Sequence, residues 1–310
     1  MAESNMMVIA HRGASGYVPE HTLEAVAYGH ALGSHYLELD IVATRDDQLV
    51  VIHDIELDRV TNVAARFPDR KRDDGRYYTR DFDLAEIKAL DVHERRRSDG
   101  VSPVFPGRFP HGIKGFKVPT LREELKFIQG MNQATGRDVG IFAEVKQPAF
   151  HLAEGVDISA LTLELLDDLG YRTRADNFWL QCFDAAETAR IRRSLQCELK
   201  IIQLIDKNAA YDELLTDSGL TAIAEMVEAI GPRIDQVIKL DEIDGQPVST
   251  GLVSAAHSRN MKVIPWTFRT EQLVPGFDSL GQMVAWFDEV IKIDGVFTDF
   301  PDLALAALQR

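Results

Sequence analysis

The chain has 310 residues, 45% hydrophobic and 27% charged, which is ordinary globular usage and excludes a disordered or collagen-like chain. No uncharged apolar run reaches the roughly 18–20 residues needed to cross a bilayer, so stable membrane insertion is not expected. Lys+Arg 34 against Asp+Glu 49 leaves a net charge of −15, which repels nucleic acid and obliges any anionic ligand to find a local cation.

Short apolar runs alternate with longer helical stretches. Strands are predicted at Met7–His11, Tyr36–Val42, Leu49–His53, Gly140–Lys146, Phe178–Phe183, Lys200–Ile205, Gln236–Leu240, Lys262–Phe268 and Gly295–Thr298. Most are rich in Val, Ile, Leu and Phe and are bounded by polar loops, as buried strands are. Helices are predicted at Thr22–Leu32, Leu121–Gln129, Ile158–Leu169, Ala185–Ser194, Gly219–Ile230, Thr250–Arg259 and Met283–Ile291. Such sustained alternation implies a parallel sheet, and about eight units in this length suit a (β/α)8 TIM barrel.

Two junctions break the pattern. Only the segment Ala43–Gln48 separates the second strand from the third, too little for a parallel crossover, so an antiparallel hairpin return strand is predicted. A turn centred between Asp46 and Asp47 would set Asp40 opposite His53. The second break is the stretch 55–117, with charge clusters and seven aromatics including Phe67, Tyr77, Tyr78 and Phe82. Aromatics need burial, so this reads as a small inserted subdomain with a short helix at Leu84–Leu90. Residues 1–54 and 118–310 then form the barrel. Over residues 55–118, 14 Lys and Arg against 11 Asp and Glu give net +3. The insertion leaves directly after His53-Asp54, so it is expected to pack over the barrel mouth, restrict one side of a substrate and supply no catalytic residue.

Polar groups cluster where buried strands end. His11 and Arg12 leave the first strand. Glu38 and Asp40 are two apart in the second, hence on one face. His53 closes the return strand, and Glu144 and Lys146 again share a face. Charges inside apolar strands are costly unless paired or bound to a metal, and the alternative to a site is an ion pair of Lys146 with one carboxylate. Glu38, Asp40 and Glu144 are hard oxygen ligands with no thiolate among them, a set suited to Mg2+ or Ca2+. Arg12 and Lys146 can hold an anionic group. His11 and His53 can exchange protons near neutral pH. Cys182 and Cys197 are read as buried thiols.

These residues resemble a known family. Ile9-Ala-His-Arg-Gly through Pro19-Glu-His-Thr22, Glu38-Leu-Asp40, Leu49-Val-Val-Ile-His-Asp54, Glu144-Val-Lys146, Leu180-Gln-Cys-Phe-Asp184 and Thr298-Asp-Phe-Pro301 are similar to the glycerophosphodiester phosphodiesterases. The match is closest to their larger bacterial branch, which carries an insertion after the His-Asp motif. The resemblance implies a TIM barrel that hydrolyses glycerophosphodiesters, such as glycerophosphocholine and glycerophosphoethanolamine, to sn-glycerol 3-phosphate and an alcohol with Ca2+ or Mg2+. It implies His11 and His53 as the acid–base pair and Glu38, Asp40 and Glu144 as metal ligands. Arg12 and Lys146 would hold the phosphate, with Glu20 behind them. It places Trp266 on the substrate side, a core tryptophan being the alternative. Whether the glycerol 2-hydroxyl or water attacks phosphorus stays open. The partner expected is the small-molecule substrate, and a homodimer is compatible with this reading. The start, Met1 to Met7, has no secretory pattern, so the chain as given is expected in the cytoplasm, with the periplasm the alternative if a leader has been removed.

Overall fold

The computed structural model of the chain describes residues 4–309. Eight parallel strands form the barrel: β1 (Met7–Ala10), β2 (Tyr36–Ala43), β4 (Gly140–Val145), β5 (Phe178–Cys182), β6 (Lys200–Ile205), β7 (Ala229–Pro232), β10 (Lys262–Val263) and β11 (Gly295–Thr298). They pair in the order β10-β7-β6-β5-β4-β2-β1-β11. The last gap is bridged by Asp294 N–H donating to the Val263 carbonyl at 2.9 Å and Phe268 N–H donating to that of Phe297 at 2.8 Å. No helix among the described residues is long and apolar enough to cross a membrane.

The strands are apolar on both faces because both are covered. Val8, Leu37, Leu39, Ile41, Ile141 and Val145 pack outward against the helices. The helix Leu121–Thr135 shows how that layer is set. It starts at Thr120, whose hydroxyl accepts from Glu123 N–H at 3.1 Å while the Glu123 carboxylate accepts from Thr120 N–H at 2.8 Å. It stops at Gly136, whose φ of +68° a side chain would disfavour. Inward, Ile9, Phe142, Trp179, Ile202, Ile264 and Phe297 fill the barrel. Phe142 and Trp179 stack with ring centroids 5.3 Å apart. Each fully buried side chain of this size stabilises the fold by roughly 1.5–3 kcal/mol.

The return strand β3 (Leu49–Val51) is antiparallel to β2, but one residue out of the expected register. Ile41 faces Val51 and Ala43 faces Leu49, and Ile52 N–H donates to the Asp40 carbonyl at 3.0 Å. Ile52, not His53, is therefore opposite Asp40. The cause is the turn. Thr44 N–H donates to Gln48 at 2.9 Å and Asp47 takes φ +57°, so three residues make the loop and the pairing centres on Asp46.

The seventh strand also differs from expectation. The segment predicted as Gln236–Leu240 belongs to a short helix, Ile234–Val237, and to β8 (Ile238–Leu240), which pairs only with β9 (Pro247–Ser249). The barrel strand is Ala229–Pro232, read from sequence as the end of a helix that stops at Ile223. Its Ile230 pairs with Gln203 of β6, and Gly231 packs so closely on Leu204 that a Cβ there would lie 2.6 Å from that side chain. Pairing with β6 overrides the local helical pattern.

In the stretch 55–117, Leu57, Val60, Val63, Phe82, Ile87, Leu90 and Val92 form a second apolar cluster against Val42, Val50 and Ile52 of the hairpin. The short helix there spans Leu84–Lys88.

Candidate active site

The barrel interior changes from apolar to charged along the strands. Asp40 on β2 is in register with Glu144 on β4, and Glu144 with Gln181 on β5. These three form a row above Phe142 and Trp179. Glu38, two residues before Asp40, completes the group. A cavity of about 100 Å3 above this row is lined by Glu38, Asp40, Glu144 and Gln181 and by His11, Arg12, His53, Phe183, Trp266 and Arg269.

One oxygen from each of Glu38, Asp40 and Glu144 lies within 4.8 Å of the others, all three residues buried. Lys146 is the cation set among them, its Nζ 2.6 Å from Glu144 and 3.5 Å from Asp40. Burial, with Asp40 adding repulsion, raises Glu38 well above the usual carboxylate range. Burial raises Glu144 to about 8, with Lys146 opposing and Asp40 assisting. Burial would raise Asp40 as well, but Lys146, His53 and His21 hold it low. Asp40 Oδ1 is buried without a hydrogen-bond partner. A close set of hard oxygens with one orphaned acceptor fits a divalent cation.

The two histidines have a common construction. His11 Nδ1 lies 2.6 Å from Asp299 Oδ1, and His53 Nδ1 lies 2.5 Å from Asp54 Oδ1. Against the cost of burial, Arg269 and the bond to His11 keep Asp299 ionised, while His53 and Arg95 do so for Asp54. Ionised carboxylates only accept, so both imidazoles donate from Nδ1 and keep Nε2 as an acceptor. Burial, then Arg12, lowers His11 to about 4, and burial, Arg12 and Lys146 lower His53 to about 3. Both rings are thus neutral at neutral pH in this structure.

Arg12 lies between Glu38 and Glu20. Its backbone N–H donates to Glu38 at 2.7 Å and its Nη1 to Glu20 at 3.0 Å. Its Nε is buried without a hydrogen-bond partner.

The chain matches the model of the glycerophosphoryl diester phosphodiesterase family over residues 11–303. It belongs to that family. A glycerophosphodiester phosphodiesterase of Haemophilus influenzae is 38% identical, the match covering 99% of this chain and 91% of that one. Another, of Treponema pallidum, is 35% identical over 99% and 93%. Among solved structures, an Oleispira antarctica phosphodiesterase in complex with sn-glycerol-3-phosphate superposes with TM-score 0.67 at 20% identity, covering 98% of this chain and 97% of that one. This likeness is one of fold. The chain is therefore a glycerophosphodiester phosphodiesterase, a hydrolase on a TIM barrel.

The family's barrel here brings together His11, Arg12, Glu38, Asp40, His53, Glu144 and Trp266 around one cavity. Lys146 is in contact with Asp40 and Glu144. Trp266 is half-buried; its indole N–H donates to the Gly231 carbonyl at 2.8 Å and its ring meets that of Phe183 edge-on. Glu20 lies outside the cavity, bonded to Arg12 and Arg95.

Sequence reasoning gave no role to Asp54, Asp299, His21 or Gln181. Asp299 directly follows β11, and Gln181 is the inward residue of β5 beside Glu144, so strand-end position and period two were available signals. His21 Nε2 lies 2.7 Å from Asp40 Oδ2. Gln181 donates to Glu38 at 3.1 Å. Arg95, Arg108 and Arg269 lie in loops, where no periodicity marks them.

Proposed function

We propose that the chain hydrolyses glycerophosphodiesters such as glycerophosphocholine and glycerophosphoethanolamine to sn-glycerol 3-phosphate and an alcohol, with His11 and His53 as the acid–base pair. The observation that carries this is the pairing of two carboxylate-backed histidines with a three-carboxylate cluster around one cavity. The product seen with the Oleispira relative supports the choice of substrate class.

Arg12 presents its unpartnered Nε to a non-bridging phosphate oxygen, and Lys146 offers a second cation. One imidazole accepts, at Nε2, the proton of the attacking hydroxyl, from the glycerol 2-position or from water. The other donates a proton to the alcohol oxygen as its bond to phosphorus breaks. A bound phosphodiester monoanion offsets Arg12, which depresses both histidines, and Lys146, which depresses His53, and so lets one ring carry the proton it donates. Glu38, Asp40 and Glu144 would hold a Ca2+ or Mg2+ ion, which when bound supplies Lewis-acid polarisation of the phosphate. The insertion forms a wall on the alcohol side. Its Glu94, Arg95, Val104, Phe105 and Arg108 share a second cavity of about 270 Å3 with His11, Arg12 and His53.

Incubation of the protein with glycerophosphocholine and Ca2+ or Mg2+, with enzymatic detection of glycerol 3-phosphate, tests this. Product that depends on the ion is expected. Release of choline phosphate instead, or full turnover in excess chelator, would overturn the reading.

A further inference from the structure

Some arginines of the insertion pair within it: Arg70 with Glu86 and Arg76 with Asp58. Arg95 and Arg108 reach inward. Arg95 is 8% exposed. It donates from Nη1 to Asp54 Oδ2 at 2.6 Å, and from Nη2 and Nε to the two oxygens of Glu20 at 2.6 and 2.9 Å. Arg108 donates from Nη2 to Asp299 Oδ2 at 2.7 Å and from Nε to Glu271 at 2.8 Å. One loop therefore touches the carboxylate behind each histidine.

The loop is built to do so. Val104 N–H donates to the Arg95 carbonyl at 2.9 Å and Arg97 N–H to that of Ser102 at 2.8 Å, which folds the segment back on itself. The Phe105 ring supports the Arg108 guanidinium 3.9 Å away. The stereochemical result is the same at both ends. Asp54 and Asp299 each give one oxygen to an imidazole Nδ1 and the other to an arginine of this loop, with Arg269 adding a second contact to Asp299 at 2.6 Å. A carboxylate held at one oxygen by a charge-assisted bond cannot turn freely, so its other oxygen stays aimed at the imidazole.

We propose that the loop from Arg95 to Arg108 is part of the catalytic apparatus, with Arg95 and Arg108 as positioning residues. Arg95 orients His53 through Asp54, and Arg108 orients His11 through Asp299, so the insertion sets the tautomer and aim of both rings in addition to walling the cavity. This rests on the acid–base assignment of the two histidines made above.

The test uses the full-length protein with Arg95→Met, Arg108→Met and, as a control, Arg76→Met. An imidazole Nδ1 proton shared with a carboxylate resonates far downfield in proton NMR, and loss of a signal in His11→Ala or His53→Ala assigns each one. Arg95→Met should shift or broaden the His53 signal and Arg108→Met that of His11, with Arg76→Met moving neither. With glycerophosphocholine, kcat should fall by roughly 10–100-fold, the scale for removing a group that supports an active one, while KM changes less than about twofold. Should a Met variant not fold, Arg95→Lys and Arg108→Lys keep the charge, remove the fork and should move the same signal. Unmoved downfield signals in the folded variants would overturn the proposal, whatever happens to kcat. Wild-type turnover in His11→Ala and His53→Ala would instead overturn the acid–base reading, and the two failures are separable because the signals report the contacts without turnover.

Discussion

Glu38 and Glu144 of the cluster and the two aspartates behind the histidines are the same chemical groups in opposite states. Glu38, opposed by Arg12, and Glu144, opposed by Lys146, are crowded against Asp40, and burial raises both. Asp299 is also buried and Asp54 partly so, but Arg95 in one case and Arg108 with Arg269 in the other hold them ionised. Burial always favours the neutral acid; the number and geometry of neighbouring cations decides whether it wins. The cluster is thereby short of positive charge, as suits a cation site. The other pair is saturated with it, which leaves each aspartate only its bond to a histidine.

This contrast can be broken experimentally. The largest effect is expected at the histidines. His11→Ala and His53→Ala should each lower kcat by roughly 10²–10⁴, the loss typical of a general acid or base, while calorimetry finds divalent-cation binding kept. Glu38→Gln and Asp40→Asn should remove both activity and cation binding. If a histidine variant also lost the cation, the two groups would not be separate devices.

Next in size is the pH dependence of cation affinity. Glu144 is protonated below about pH 8, so a bound cation must displace that proton. Glu38 is raised as well, so affinity should rise with pH through neutrality. Titrations in two buffers of different ionisation enthalpy should show net proton release at pH 7. Affinity that ignores pH would mean Glu144 is already ionised.

The smallest effect concerns acid stability. The folded protein keeps His11 neutral down to about pH 4, whereas the unfolded chain takes up a proton near its ordinary 6.5. Between these values only the unfolded state binds the proton, so stability falls as pH falls from about 6.5 to about 4. Asp299 acts in the same direction at lower pH, because its folded value lies below its ordinary 3.8. Melting temperature should drop by on the order of a few degrees between pH 7 and pH 4.5. His11→Asn, which keeps a donor toward Asp299 and does not titrate, should show a shallower slope. An equal slope would place the acid sensitivity elsewhere.

Much of the site was readable because strand-end charges are rare and costly. Glu38 and Asp40, and Glu144 and Lys146, declared a shared face by their spacing. His11 and His53 declared themselves by ending strands. Helices opening at Pro148 and Pro301 were missed, although proline at a first helical turn is a usable signal.

Alternation of strand and helix, the hairpin after β2, the interruption at 55–117 and the family motifs were determined by the sequence alone, because each depends on local spacing or on residue type. Three things were decided only by the tertiary structure. The hairpin register depended on Asp47 adopting a left-handed conformation. The seventh strand depended on β6 offering an edge to Ala229–Pro232. The charge held on Asp54 and Asp299 depended on arginines brought from distant loops. Charge acts through space, and two of those arginines, Arg95 and Arg108, lie more than forty positions from the aspartates they neutralise, a separation over which chain periodicity carries no information.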